Sequence, residues 1–172
     1  FYRVEGEITK TDEAAISAQV VEVPAEGQTV ELPAANAKAF DAYVARYVDF
    51  FGPGALAGMK LGFYEHSSVS RESIQAILAG LGADVISVVR TEEFVPIDTE
   101  AVSEVDIERA HAWAAEHRFD AILSTDGDGD RPLLGDEKGE WFRGDILGIL
   151  CAQYLGAKGV VTTVSSNSAV EK

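Results

Sequence analysis

The sequence predicts an α/β domain in which helices cover both faces of a mostly parallel or mixed sheet. Apolar segments of strand length alternate with segments whose apolar residues recur at helical spacing. Glycine or proline stands at most of the boundaries between them. The chain has 172 residues, of which 47% are hydrophobic, enough for one packed core. This alternation is typical of three-layer α/β/α, Rossmann-like domains.

The first 33 residues carry weaker signals than the rest of the chain. Residues 1–9 have an extended character, and Thr11 is placed to cap a short helix that begins at Asp12. Residues 19–33 contain β-rich fragments that are interrupted by two prolines and a glycine. We interpret this segment as a linker or as the tail of a preceding domain.

From residue 34 onward the alternation of elements is regular. The predicted elements are a helix at 40–51, a strand at 59–65, a helix at 70–82, a strand at 84–89, a helix at 105–117, a strand at 119–125, a hairpin at 131–144, a helix at 144–156 that Asp145 caps, and a strand at 159–165. We expect the aromatic residues of the first of these helices to lie in the core. We also expect the strand at 84–89 to be buried.

The charge balance narrows the possible partners. The formal net charge is −15 at pH 7, which argues against binding to nucleic acid or to an anionic membrane surface, because both attract clustered Lys and Arg. No apolar run approaches the ~18 residues that span a bilayer, and the first ten residues lack a signal-peptide pattern. The single cysteine excludes an intrachain disulfide. We therefore expect a cytoplasmic protein that binds neither nucleic acid nor membrane.

Residues 126–131, DGDGDR, follow the predicted strand that ends at residue 125. Carboxylates are the hard oxygen ligands that Mg²⁺ and Ca²⁺ prefer, and alternate spacing allows Asp126, Asp128 and Asp130 to turn toward one point. The two intervening glycines remove steric obstruction and permit positive φ. Three close anions repel each other unless a cation compensates them. The stretch therefore predicts a divalent-cation site, with Arg131 as an additional positive charge.

Two other kinds of site begin with a similar pattern. If Asp126 is position 1 of an EF-hand loop, Glu137 falls at position 12, where a calcium ligand belongs. Position 6, however, is Arg131 where the sharp turn needs glycine, and the predicted flanks are a strand and a hairpin. A phosphatase with a nucleophilic aspartate is a second alternative, but its companion Ser/Thr and Lys motifs are not apparent. A calcium-binding module without enzymatic activity is the alternative that we keep.

The same loop carries a resemblance to a known family. The metal-binding loop of the α-D-phosphohexomutases, the phosphomannomutase/phosphoglucomutase family, resembles STDGDGDRPL at 124–133. The stretch after the phosphoserine loop in their first domain is similar to FYRVEGEITKTDEAAI at 1–16, and the opening βαβ of their second domain is similar to GFYEHSSVSRESIQAILAGLGADV at 62–85. The end of the second domain and the entry to the third resemble residues 139–172. The resemblance covers essentially the whole chain.

The resemblance implies a phosphoryl-transfer enzyme of four domains. A phosphoserine on the first domain donates its phosphoryl group to a hexose 1-phosphate or 6-phosphate, and the reoriented bisphosphate returns one. By this resemblance, Asp126, Asp128 and Asp130 would ligate Mg²⁺, and Arg131 would contact the phosphoserine. The implied substrate is mannose phosphate, with glucose phosphate as an alternative. Phosphoryl transfer asks a protein mainly to position groups and to stabilise charge.

The resemblance also implies a domain organisation. Residues 1–33 would be the C-terminal tail of domain 1 with a linker, residues 34–160 domain 2 with the metal-binding loop, and residues 161–172 the start of domain 3. The family's phosphoserine motif is absent from the 172 residues. We therefore expect a fragment that is inactive alone and whose partners are domains 1, 3 and 4 of the same protein.

Residues 66–71, HSSVSR, stand where a strand gives way to a helix. Their serine hydroxyls, histidine and arginine would suit an anion site at a helix N-terminus. Because the glycine-rich spacing of a phosphate loop is lacking, we favour a serine that caps the helix.

The remaining polar or reactive residues have ordinary structural explanations. His111 and His117 are six residues apart on one helix, which is the wrong spacing for a shared metal. Cys151 stands among apolar residues and is expected to be buried and inert. Arg143 is expected to have a structural role, and Ser165 and Ser166 are expected to mark the hinge into the next domain.

Overall fold

The computed structural model describes residues 1–22 and 31–171. The chain divides into two compact units, Phe1–Ala35 and Asn36–Lys172, and each is described by itself. Most of the predicted linker, residues 23–30, lies outside the described residues, and residues 31–33 belong to no helix or strand.

The first unit consists of a hairpin and one helix. Its elements are β1 (Tyr2–Arg3), which pairs antiparallel with β2 (Gly6–Glu7), and α1 (Lys10–Ser17). The prediction that Thr11 caps this helix is wrong, because Thr9 is the N-cap. With Thr9 as the N-cap, Asp12 is the third residue of the helix, and its carboxylate accepts the Thr9 backbone N–H at 2.9 Å. The Thr9 hydroxyl in return accepts the backbone N–H of Asp12, so the two residues form a capping box.

The second unit alternates strands and helices, as the sequence predicts. Its elements are α2 (Ala37–Phe51), β3 (Lys60–His66), α3 (Arg71–Gly80), β4 (Asp84–Arg90), α4 (Glu104–His117), β5 (Ala121–Thr125), β6 (Pro132–Gly135), α5 (Gly144–Tyr154) and a 3₁₀ turn (Ser168–Glu171). Within the described residues, no helix combines the length and the apolarity that a bilayer crossing requires.

The four strands of the second unit form one mixed sheet in the order β4-β3-β5-β6. Strand β3 pairs in parallel with both β4 and β5, and β6 runs antiparallel to β5 with Thr125 opposite Pro132. The crossovers from β3 to β4 and from β4 to β5 run in opposite directions, so right-handed connections place α3 and α4 on opposite faces. The expectation of an α/β/α domain with a mostly parallel or mixed sheet is confirmed.

The main hydrophobic core lies between α4 and the sheet. Its buried members are Tyr64, Val88, Ala110, Phe119 and Ile122. Gly62 allows Phe119 to lie directly on β3, since a Cβ at this glycine would be 2.5 Å from the aromatic ring. Trp141, from the predicted hairpin, packs against the edge of the same cluster and bridges to Gly135.

Two expectations about strands are wrong. The strand at 84–89 is not buried along its length, because β4 lies at the edge of the sheet and only Val88 within it is buried. The segment at 159–165 is not a strand, because its backbone lies against no sheet edge in the described part of the chain. Val161 and Val164 are accordingly fully exposed. Apolar β-branched composition produces a strand only where a partner strand is available.

Two expectations about burial are also wrong. The aromatic residues of α2 do not lie in the core, since Phe40, Tyr43, Phe50 and Phe51 are 42–63% exposed. Helix α2 packs on α3 and leaves its aromatic side to solvent. Cys151 is exposed because it lines an open apolar groove of about 570 Å³ between α5 and the end of α2.

Candidate metal centre

Strands β3 and β5 are neighbours whose onward connections leave in opposite directions. In an open α/β sheet, a ligand site is expected beyond the carboxyl ends of two such strands. The segments that meet there are the serine turn, defined as residues 67–70, and the aspartate loop, defined as residues 126–131. The backbone N–H of Val69 donates to the carbonyl of Gly127 at 3.0 Å and joins them.

The three aspartates of the loop converge. Asp126, Asp128 and Asp130 each offer one carboxylate oxygen, and the three oxygens lie within 4.8 Å of one another. Asp126 is half-buried, whereas the other two are exposed. The Asp126 carboxylate accepts the backbone N–H of Arg131 at 3.2 Å, and a φ of +80° at Gly129 lets the chain turn back. The carboxylates are therefore together, as their spacing predicts, while their role as metal ligands stays a prediction.

The surroundings of the loop shift the pKa values of Asp126 and Asp130 in opposite directions. Burial tends to raise the pKa of Asp126, but hydrogen bonds, first of all from the Arg131 backbone, outweigh it and place this pKa below its ordinary value. The negative charge of Asp128 raises the pKa of Asp130, and partial burial and the charge of Asp126 act in the same direction. Repulsion within the loop is thus concentrated at Asp130, and a bound cation would relieve it.

Arg131 follows the carboxylates with its guanidinium loosely held. Its nearest acidic partner is the exposed Glu100, with 3.4 Å between Nη1 and Oε1. Its Nε lies 3.8 Å from Asp130 and 3.9 Å from Asp126, which is beyond hydrogen-bond distance. Since 58% of the side chain is exposed, the guanidinium can present its planar set of donors to an added anion.

The side chains beneath the aspartate loop are polar and buried. Ser68 and Thr125 are 2% and 5% exposed, and their hydroxyl oxygens lie 2.8 Å apart. His66 is fully buried and donates from Nε2 to the Thr125 carbonyl at 2.8 Å. A serine, Ser70, stands at the N-cap of α3 as favoured, but its hydroxyl makes no capping hydrogen bond. The sequence did not predict that the serine turn contacts the aspartate loop, although both segments follow strands predicted to run parallel.

A polar cavity of about 580 Å³ opens beside Glu100 and is lined by Arg143 and by hydroxyl side chains between residues 162 and 166. The prediction that Asp145 caps α5 is wrong, because Arg143 is the N-cap. The Asp145 carboxylate lies in the first turn, where it pairs with Arg143 at 3.0 Å and accepts the backbone N–H of Asn167 at 2.8 Å. Arg143 is thus held in a local ion pair, in keeping with a structural role.

The two helix histidines lie apart from the aspartate loop. The ring of His117 stacks on Phe119 with 5.2 Å between centroids, and Nε2 of His111 lies 3.1 Å from a carboxylate oxygen of Glu140. The only group of acidic, histidine or cysteine side chains close enough for shared metal ligation, within the residues described, is the aspartate triad.

The flanks of the aspartate loop distinguish between the kinds of cation site. Strand β5 precedes the loop and β6 follows it from Pro132, whereas an EF-hand needs a helix on each side.

Over 99% of its length, the chain is 48% identical to a phosphomannomutase of Salmonella muenchen and 44% identical to a phosphomannomutase of Sinorhizobium fredii. The chain belongs to the α-D-phosphohexomutase family.

Other phosphohexomutases are more distant. The same 99% of the chain is 26% identical to a phosphoglucosamine mutase of Lachnoclostridium phytofermentans. The chain spans 35%, 37% and 39% of the lengths of these three phosphohexomutases, a little over a third. A scan of the chain against models of protein families finds no match.

Proposed function

We propose that this chain supplies the cation-binding part of a phosphohexomutase that interconverts hexose 1-phosphate and hexose 6-phosphate. The observation that carries the proposal is the convergence of three carboxylate oxygens, within 4.8 Å of one another, at the carboxyl end of β5. The identity to two phosphomannomutases over 99% of the chain supports it. Mannose phosphate is the substrate that we propose, with glucose phosphate as the alternative.

The donor set fits Mg²⁺. This ion takes a small number of carboxylates and keeps other positions for water or phosphate oxygens. Asp126, Asp128 and Asp130 would hold it, since all three donors are carboxylate oxygens and neither imidazole nor thiolate is among them. When bound, the ion would act as a Lewis acid on a phosphate oxygen.

Arg131 is assigned the contact with the phosphate of the phosphoserine. An exposed ion pair such as that with Glu100 contributes little free energy, so an incoming phosphate competes with it easily. The guanidinium then offers two parallel N–H donors, which match phosphate oxygens. Its own backbone N–H fixes the Asp126 carboxylate at 3.2 Å, so one residue serves both the acidic cluster and the phosphate.

The phosphoryl donor is assigned to a serine outside these 172 residues, since the family's phosphoserine motif is absent from the sequence. In the proposed cycle, that phosphoserine phosphorylates the sugar phosphate, and the hexose bisphosphate returns a phosphoryl group to it after reorienting. The proposed domain organisation assigns 1–33 to domain 1, 34–160 to domain 2 and 161–172 to domain 3, with the remaining domains as partners. A cytoplasmic location, supported by the single cysteine, completes the proposal.

A pair of charge-matched variants tests the metal site. Asp128→Asn removes one predicted ligand, whereas Asp49→Asn removes the same charge from an exposed position on α2. Mn²⁺, which accepts the same oxygen ligands as Mg²⁺, is titrated into each protein and followed by EPR. We expect Asp128→Asn to weaken Mn²⁺ binding about tenfold or more and Asp49→Asn to change it by less than about twofold.

The activity is tested on the full-length protein that contains this chain. We expect turnover of mannose 1-phosphate in the wild type, its loss in Asp128→Asn, and no turnover by the 172 residues alone. Unchanged Mn²⁺ affinity in Asp128→Asn would reject the metal site. Ca²⁺-selective binding, together with a full-length protein that turns over no hexose phosphate, would favour the calcium-binding module instead.

A further inference from the structure

Neighbouring groups hold the backbone carbonyls of residues 125–127, at the start of the aspartate loop, rather than its carboxylates. Three consecutive carbonyl groups accept a hydrogen bond there. The Thr125 carbonyl accepts from Nε2 of His66 at 2.8 Å, the Asp126 carbonyl accepts from the Thr125 hydroxyl at 2.8 Å, and the Gly127 carbonyl accepts from the Val69 backbone N–H at 3.0 Å. The backbone at the start of the loop is therefore fixed at three successive peptide units.

The hydroxyl groups beneath the loop form a directed chain. A carbonyl only accepts, and a hydroxyl carries a single proton, so Thr125 donates to the Asp126 carbonyl and accepts from Ser68, whose oxygen is 2.8 Å away. Ser68 in turn accepts from the Ser70 hydroxyl at 2.9 Å. Each donor in such a chain polarises the next, and burial strengthens the effect.

Ser70 also packs against the far side of the loop. A Cβ at Gly129 would lie 2.6 Å from the Ser70 Cβ and 2.7 Å from its hydroxyl oxygen. Gly129 separates Asp128 from Asp130, so the serine turn supports the loop near its last two carboxylates as well as at its first.

We propose that Ser68, Ser70 and Thr125 are positioning residues that hold the three carboxylates together before a cation binds. The inference rests on the proposed metal site and adds the residues that preorganise it. Without these anchors, mutual repulsion would separate the carboxylates, and part of the binding free energy of the cation would be spent on reassembling them. None of the three residues needs to touch the ion.

The test compares hydroxyl-deleting variants with two controls in the 172-residue protein. Thr125→Val and Ser68→Ala remove links of the chain, and we expect each to weaken Mn²⁺ binding roughly 10–100-fold, as loss of a ligand-orienting contact does. Thr125→Ser keeps the hydroxyl and should stay within about twofold of the wild type. Ser103→Ala removes the hydroxyl that caps α4 and donates to the Asp106 carboxylate at 2.6 Å rather than to the loop, and should also stay within that limit.

A second measurement follows the loop without any cation. Amide resonances of Gly127 and Gly129 are recorded by NMR in EDTA, together with their hydrogen-exchange rates. We expect Thr125→Val and Ser68→Ala to shift both resonances and to accelerate exchange. Ser103→Ala should leave both unchanged even if it lowers the free energy of unfolding, because its hydroxyl contacts Asp106 and not the loop.

The outcomes separate this inference from the proposed function. Wild-type Mn²⁺ affinity in Thr125→Val and Ser68→Ala, with unmoved loop resonances, would overturn the positioning role and leave the metal site standing. An equal loss of affinity in Ser103→Ala would also overturn it, since general destabilisation would then explain the effect. Absence of Mn²⁺ binding in the wild type would instead overturn the metal site itself, and the positioning role with it.

Discussion

Two acidic turns flank strand β6, and their charges are compensated differently. In the turn at 136–140, the Asp136 carboxylate accepts the backbone N–H groups of Lys138 and Glu140, both at 2.9 Å. In the aspartate loop, the Asp126 carboxylate accepts the backbone N–H of Arg131 at 3.2 Å. Asp130 lies 3.8 Å from the Arg131 guanidinium and shares the loop with two like charges.

The difference distinguishes a structural turn from the proposed cation site, which has a similar composition. Hydrogen bonds from the backbone, first of all that of Glu140, lower the pKa of Asp136, whereas the charge of Asp128 raises the pKa of Asp130. A carboxylate that its own turn satisfies requires no ligand. Carboxylates held together without donors repel each other, and an external positive charge would relieve that repulsion.

The largest expected effect comes from neutralising one acid in each turn. Asp130→Asn should weaken Mn²⁺ binding about tenfold or more, because it removes a ligand. Asp136→Asn should leave Mn²⁺ affinity within about twofold, because its carboxylate is engaged within its own turn. An EPR titration of both variants measures the contrast. Equal losses would show that net charge, rather than ligation, governs cation binding.

The next largest effect concerns the glycine at φ near +80° in each turn. Gly139 lies against the backbone of α4, where an added Cβ would be 2.5 Å from the Ala110 carbonyl carbon. Gly129→Ala comes closest to the Cβ and the hydroxyl of Ser70, at 2.6 and 2.7 Å, whereas the nearest backbone atom is 3.7 Å away. We expect Gly139→Ala to lower the free energy of unfolding by about 2–4 kcal/mol and Gly129→Ala by about 1–2 kcal/mol, measured by urea denaturation. A larger loss in Gly129→Ala would contradict the steric argument.

Without a cation, the same two substitutions should differ in the opposite order and by less. The quantity compared is then the free energy of unfolding. Asp136→Asn should lower the free energy of unfolding by about 1 kcal/mol, because it weakens two charge-assisted hydrogen bonds. Asp130→Asn should leave it unchanged or raise it slightly, since it removes repulsion. Urea denaturation at neutral pH in EDTA checks both values. The comparison fails if Asp130→Asn proves the more destabilising of the two.

The smallest expected effect is a pH dependence that originates beneath the aspartate loop. Burial lowers the pKa of His66 below its ordinary value of 6.5 and outweighs the hydrogen bond to the Thr125 carbonyl. The unfolded chain therefore takes up the proton first, so the free energy of unfolding falls as the pH drops below about 6.5 toward the folded pKa. His66→Gln should remove this part of the slope. Urea denaturation at several pH values measures it.

The sequence predicted best what depends on local spacing. The helix expected at 105–117 is observed at Glu104–His117, and the strand expected at 119–125 is observed at Ala121–Thr125. The convergence of the aspartates is similarly local, because two-residue spacing and two glycines produce it within one loop.

Predictions failed where the outcome depends on a partner far along the chain. Composition suggested a strand at 159–165 and a buried Cys151, but a strand needs a sheet edge and a buried side chain needs a covering surface. The hydroxyl contact beneath the loop joins Ser68 to Thr125, 57 residues apart. Periodicity within either segment contains no information about that pairing, which arises only once the two strands lie side by side.

The antiparallel pairing of β5 with β6 has a consequence for changes in the length of the aspartate loop. The ladder sets Thr125 opposite Pro132, so the number of residues between them is tied to the register. If β6 shifted by a single position to absorb an insertion or deletion there, the buried Leu133 would exchange places with the half-exposed Leu134. A length variant of this kind would therefore be detected as a loss of stability, whereas a substitution of one acid keeps the register and would be detected in cation binding.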